Sequence, residues 1–273
     1  MIRFPIAAAL IAAIAAPVPA AAELLVAPTR VVLTPEARST ELVLVNKGTE
    51  TAAFRINIEN RRMREDGSLE DAGEARPGEQ FADDKLRYSP RQLVLEPGAR
   101  QVMRIMASAP SELAPGEYRS HLRLMSAPVS AGTTQIAGEP AADNSLSIEL
   151  VAIRSITIPV ILRVGALDAG VTMDAAAMAK DAPDQLVVRL NRSGTRSTYG
   201  DISLTVAGEK APAWLVRGVA IYTPNTSRDV IVPLPADVRA KLTGKTVRID
   251  YTSTDAGDPA NLGRLLASLT AAL

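Results

Sequence analysis

The chain has no cysteine, one histidine and few aromatic residues: 3 Phe, 5 Tyr and 1 Trp in 273 positions. Without cysteine there is no disulfide framework, no thiol nucleophile and no thiolate metal site. The lone histidine, His121, leaves a Ser–His–carboxylate triad one candidate base, and no Gly-x-Ser-x-Gly elbow accompanies it. Charge of one sign is also missing. Lys plus Arg and Asp plus Glu number 30 each, so no global field draws nucleic acid or an anionic membrane. No segment beyond the N-terminus is apolar for the roughly 20 residues that a membrane helix needs. Together these absences argue against an enzyme such as a hydrolase, and no cofactor or metal is expected. A fold without disulfides needs a real hydrophobic core, which Val, Ile and Leu must fill.

What is present begins at the N-terminus. Arg3 precedes an apolar run over residues 6–16, followed by Pro17-Val18-Pro19-Ala20-Ala21-Ala22. A positive start, a short apolar middle and an Ala-x-Ala end predict a secretory signal peptide over residues 1–22. Cleavage after Ala22 would leave a chain beginning Glu23-Leu24-Leu25 and would place it in the periplasm.

The rest reads as strands. Apolar alternation marks residues 38–45, 52–58, 93–95, 102–107, 118–125, 146–150 and 156–162. Beyond residue 165 it marks 186–190, 201–206, 219–222, 230–234 and 247–251. Turn residues interrupt about every 10 positions, the spacing of a β-sandwich. One short helix is expected over residues 235–242, and long loops over 64–80 and 126–144. The expected fold is all-β, with one sandwich over residues 23–164 and a smaller one over 165–273.

Several features read as structural. Asp66, Glu70, Asp71 and Glu74 lack the ligand spacing of a calcium loop and predict a solvated one. Residues 191–197 are basic and contain glycine, but no helix follows to present amides to a phosphate, so they read as a connecting loop. Trp214 is expected to anchor the second core. His121 alternates against Leu122 and Leu124, which predicts a side chain facing solvent or a loop.

An ordered set of short motifs then resembles the periplasmic chaperones of fimbrial (pilus) subunits. It comprises Pro28-Thr29-Arg30-Val31-Val32, Leu42-Val43-Leu44-Val45-Asn46 and Arg61-Arg62-Met63 with Glu65-Asp66-Gly67. It continues with Ser89-Pro90-Arg91, Leu95-Glu96-Pro97-Gly98, Val102-Met103-Arg104-Ile105, and a long strand running from Asn144 to Arg163. The resemblance implies two immunoglobulin-like domains in an L or boomerang arrangement. It also implies partners: pilus-type subunits and an outer-membrane usher, with no nucleic acid and no stable membrane insertion.

The same resemblance implies that the long strand is lent to a subunit lacking one. Leu146, Ile148 and Leu150 stand at spacing two and share a face; the pattern alone favours their facing this domain's own core, and the resemblance makes them the candidate donated residues. The subunit's terminal carboxylate is usually held by two basic residues. Arg30 matches the first, while Pro159 stands where the second, a lysine, is expected, and Arg154 or Arg163 offers itself nearby. Arg163 could equally lock the two domains through a buried ion pair.

The residues suggest another pair. Glu96-Pro97-Gly98-Ala99 reads as a tight turn. A hairpin about it would set Arg91 opposite Arg104, and a carboxylate between them would relieve their repulsion. The alternative function is an exported structural or adhesive β-sandwich without chaperone activity.

Overall fold

The computed structural model describes residues 24–108, 110–127 and 153–273. The predicted signal segment and Leu146, Ile148 and Leu150 lie outside the described residues.

The first half contributes eleven strands: β1 (Leu24–Ala27), β2 (Val31–Leu33), β3 (Ser39–Asn46), β4 (Ala52–Glu59), β5 (Arg61–Met63), β6 (Leu69–Asp71), β7 (Leu86–Ser89), β8 (Gln92–Leu95), β9 (Arg100–Ala107), β10 (Gly116–Ala127) and β11 (Ser155–Val164). Two sheets form, in the orders β1-β3-β9-β7 and β2-β11-β10-β4-β8, and β5 with β6 makes a separate hairpin. Alternation decides which side chains go inside. Leu42, Leu44, Met103 and Ile105 of one sheet meet Phe54, Ile56, Leu122, Leu124, Val160 and Leu162 of the other.

The second half adds β12 (Ala169–Met178), β13 (Gln185–Gly194), β14 (Thr198–Val206), β15 (Trp214–Ile221), β16 (Ser227–Pro233), helix α1 (Ala236–Leu242), β17 (Thr246–Ser253) and β18 (Leu265–Ala272). Its sheets are β12-β13-β16 and β15-β14-β17-β18. Leu186, Val188, Leu190, Val230 and Val232 pack on Ile202, Leu204, Val247, Ile249 and Tyr251. Trp214 is partly buried against this core, as expected. The chain is therefore all-β, built of two immunoglobulin-like sandwiches, with strands changing sheets as that fold does.

Two expectations are corrected. The stretch 64–80 is not a plain loop, because Arg61–Met63 pairs with Leu69–Asp71 in register Arg62↔Glu70. Gly67, at φ +84°, supplies the left-handed residue this tight turn requires. Second, the turn at Glu96–Ala99 forms, with Ala99 N–H donating to the Glu96 carbonyl at 3.0 Å. It joins no hairpin, however. β8 pairs with β4 (Ala52↔Leu95), whereas β9 pairs with β3 and β7 in the other sheet (Glu41↔Arg104, Ser89↔Arg104). Arg91 and Arg104 are thus not cross-strand partners. Alternation is the same whether the next strand lies beside or across the sandwich, so the pattern did not distinguish them. The turn is fixed by buried Asn46, whose Nδ2 donates to the carbonyls of Leu95 (2.9 Å) and Glu50 (2.8 Å).

Candidate functional site

β11 runs antiparallel to β10 along its whole length, from Gly116↔Val164 to Met125↔Ser155. Its other side is covered only in part, because β2 lies parallel to it at Val160, Ile161 and Leu162. Ser126 N–H donates to the Arg154 carbonyl at 2.8 Å, which fixes the phase of the ladder. Even-numbered residues of β11 therefore turn their backbone groups toward β10, and Ser155, Thr157 and Pro159 turn theirs outward. Among the described residues no strand pairs with that outward edge between 155 and 159. Pro159 lacks an N–H, a residue tolerated in a sheet only where no ladder bond is needed.

The side-chain faces of β11 divide the same way. Ile156, Ile158, Val160 and Leu162 join the first core. Ile161, on the opposite face, packs with Met63 of β5 and with Ala220 and Tyr222 of the second half. This third cluster is the apolar seam between the two sandwiches.

Around it lies a buried polar network. Arg163 Nε donates to Glu117 Oε2 at 3.0 Å, and its Nη2 to Asp255 Oδ2 at 2.8 Å. Glu117 also accepts from the backbone N–H (3.0 Å) and hydroxyl of Ser197 and from Thr223 Oγ1 (3.3 Å). Arg30 Nη2 reaches the same Asp255 oxygen at 3.2 Å. One carboxylate of the second half is thus shared by two arginines of the first. Burial alone would raise the Asp255 carboxyl, but Arg30, Arg163 and the Gly257 N–H hold it below its ordinary value. Burial would lower the Arg163 guanidinium, but Glu117 and Asp255 outweigh it and raise it.

Arg119 completes the seam. Its Nη1 donates to the Arg61 carbonyl (3.1 Å) and its Nη2 to the Thr223 carbonyl (3.4 Å), with its guanidinium 4.4 Å from the Tyr222 ring centroid. Burial lowers its affinity for the proton. His121 corrects the expectation of a solvent-facing side chain. It is fully buried, edge-on to Tyr222 at 6.3 Å, because the second half covers this face of the sheet. Neither ring nitrogen has a partner among the described residues. Burial, then the charges of Arg119 and Arg61, bring its pKa down to about 3.

The four predicted arginines part company. Arg30 and Arg163 meet at Asp255. Arg163 forms the lock between halves that the sequence allowed as its alternative role. Arg91 lies 5.5 Å from the Tyr88 ring, and exposed Arg104 pairs with Glu41 at 2.8 Å. Sequence reasoning missed Glu117, Asp255, Tyr199 and Arg119. Asp255 sits in Thr254-Asp255-Ala256-Gly257, which reads as a surface turn, and no local pattern reports its burial. The unsatisfied look of Glu117 and Arg119 within an apolar strand was the one available signal.

Among the described residues there is no cluster of three or more potential metal ligands, and no helix is long and apolar enough to cross a membrane.

No family model matches the chain, and no curated protein matches it. Solved structures do. The chaperone–tip adhesion subunit pre-assembly complex CsuC–CsuE, from the archaic chaperone-usher Csu pili of Acinetobacter baumannii, is 9% identical, with a TM-score of 0.48 over 91% of this chain and 97% of that one. The YadV chaperone is 11% identical, with a TM-score of 0.46 over 92% and 99%. The E. coli chaperone DraB is 17% identical, with a TM-score of 0.42 over 92% and 99%. All three of these solved structures contain a chaperone, one of them in complex with a tip adhesion subunit.

Proposed function

We propose that this protein is a periplasmic chaperone that binds pilus-type subunits by strand addition along β11 and delivers them to an outer-membrane usher. One observation carries the reading: the outward edge of β11 before Val160 has no partner strand among the described residues. A partner's extended segment laid on that edge gains backbone hydrogen bonds, and alternating side chains provide selectivity. Leu146, Ile148 and Leu150 precede this edge in the chain and are the proposed residues that fill the subunit's apolar groove. The N-terminal segment, with Arg3, its apolar run and Ala20-Ala21-Ala22, supports export.

Arg30 is the proposed anchor for the subunit's terminal carboxylate. It is a buried cation beside the open edge, and its fork suits a carboxylate. In this reading Arg163 holds the cleft in shape through Glu117 and Asp255, and Arg91 and Arg104 do not act as a joined pair.

The test is co-expression with secreted proteins encoded beside it, followed by pull-down. A short β-rich subunit should copurify with the natural chain and be lost with Ile148→Glu or Leu150→Glu. Capture that survives both changes contradicts strand donation at these positions.

A further inference from the structure

Arg30 is deeply buried, with 8% of its side chain exposed, yet only Nη2 has a partner. Its Nε and Nη1 have none among the described residues. Buried donors are nearly always satisfied, so two on one guanidinium mark a place built for an acceptor. The same side chain lines an open pocket of about 330 Å³, walled also by Pro28, Thr29, Thr40, Tyr199 and Thr254. Charge points the same way. Arg30, Arg119 and Arg163 face Asp255 and Glu117, and Glu79, which also acts on Arg119, is already paired with Arg62, which leaves one positive charge in surplus.

A free arginine has many rotamers, and its fork recognises a carboxylate well only when held in one of them. Here the holding groups come from the other half of the molecule. The Tyr199 ring on β14 lies 4.6 Å from the Arg30 guanidinium carbon, and Asp255 takes one nitrogen. Neither contact uses Nε or Nη1.

We propose that Tyr199 is a positioning residue: stacked on Arg30, it holds the guanidinium in one orientation at the wall of this pocket, making a carboxylate receptor that exists only where both sandwiches meet. The proposal rests on Arg30 as the anchor and adds the residue that organises it. Nε and Nη1 are closed to solvent in the free protein, so a terminal carboxylate in the pocket reaches them only as the pocket wall parts, while Asp255 keeps its own bond to Nη2. Anchoring a subunit and locking the two halves then draw on the same side chains.

The experiment uses the full chain, isotopically labelled, and two probes. N-acetylglycine carries a terminal carboxylate; N-acetylglycinamide has the same size without the charge. The acid should shift the Arg30 Nε–H and the Tyr199 ring signals saturably, and the amide should move neither. Tyr199→Leu should weaken acid binding about tenfold, as loss of a desolvated cation–π contact does. Tyr199→Phe, which keeps the ring, should bind within about twofold of the natural chain. If the acid leaves Arg30 unmoved, the anchor reading and this proposal both fall. If it shifts Arg30 but Tyr199→Leu binds as tightly as the natural chain, only the role of Tyr199 falls. Should Tyr199→Leu not fold, the natural chain still decides: an Arg30 shift with an unmoved Tyr199 ring overturns the proposal.

Discussion

At the scale of residues, the molecule concentrates its costs at the seam. Glu117 is completely buried and depends on Arg163 for its countercharge. Removing one partner of such a pair strands the other, which costs about 3–5 kcal/mol. Arg163→Ala should therefore lower stability by that amount in urea titration and split unfolding into two transitions, one for each sandwich. A loss under about 1 kcal/mol would mean that packing, not charge, joins the halves. His121 gives a pH signature. Its folded pKa of about 3 lies below the ordinary 6.5, so the unfolded chain binds the extra proton. Stability is then full above pH 6.5 and falls as the pH descends toward 3, by up to about 1.4 kcal/mol per unit. Asp255 adds a later loss, because a depressed carboxylate loses its contribution only as pH falls below about 4. His121→Leu replaces two unpartnered buried nitrogens with carbon. It should flatten the decline between pH 6.5 and 4 and leave the more acidic loss. An unchanged slope would assign that titration to another group.

At the scale of elements, the β5–β6 hairpin is a brace between the halves. The Glu65 carbonyl accepts from the Asp229 N–H at 2.8 Å, and the Met63 carbonyl accepts from Asn225 Nδ2 at 3.0 Å. Gly67 sits against the Arg228 guanidinium, with no room for a Cβ. Gly67→Ala adds a left-handed strain of about 1–2 kcal/mol and displaces Arg228. It should speed hydrogen exchange in the hairpin and in β16 while leaving the first core protected. Protection unchanged in both elements would show that the brace tolerates the methyl group. The hairpin was illegible in the sequence because Arg64, Glu65, Asp66 and Ser68 carry no apolar alternation; its strands are held by contacts with the other half. β12 escaped notice for a related reason. Its Ala175-Ala176-Ala177 run has no strong strand preference, and a bulge between Met173 and Ala175 breaks its period. β3, β4, β9, β10 and β11, by contrast, each bury one face against the opposite sheet, so their period of two was readable.

At the scale of the whole molecule, sequence reasoning reached the two sandwiches and missed most of what joins them. Arg30 and Arg163 were visible as cations among apolar strand residues. Their common partner, Asp255, is distant in sequence and sits in a turn, and only the meeting of the two halves buries it. The proposed activity depends on a simpler feature of the assembled fold: β11 is held by β10 on one side and, before Val160, meets no partner strand on the other among the described residues. Hydrogen exchange at single amides of β11 tests this directly, in the free protein and bound to a copurified subunit. The outward N–H groups of Ser155 and Thr157 should exchange fast when free, while those of Ile156 and Ile158 stay protected by β10. Binding should slow Ser155 and Thr157 to match. If these two amides are already protected in the free protein, or stay fast in the complex, β11 has no open edge to offer.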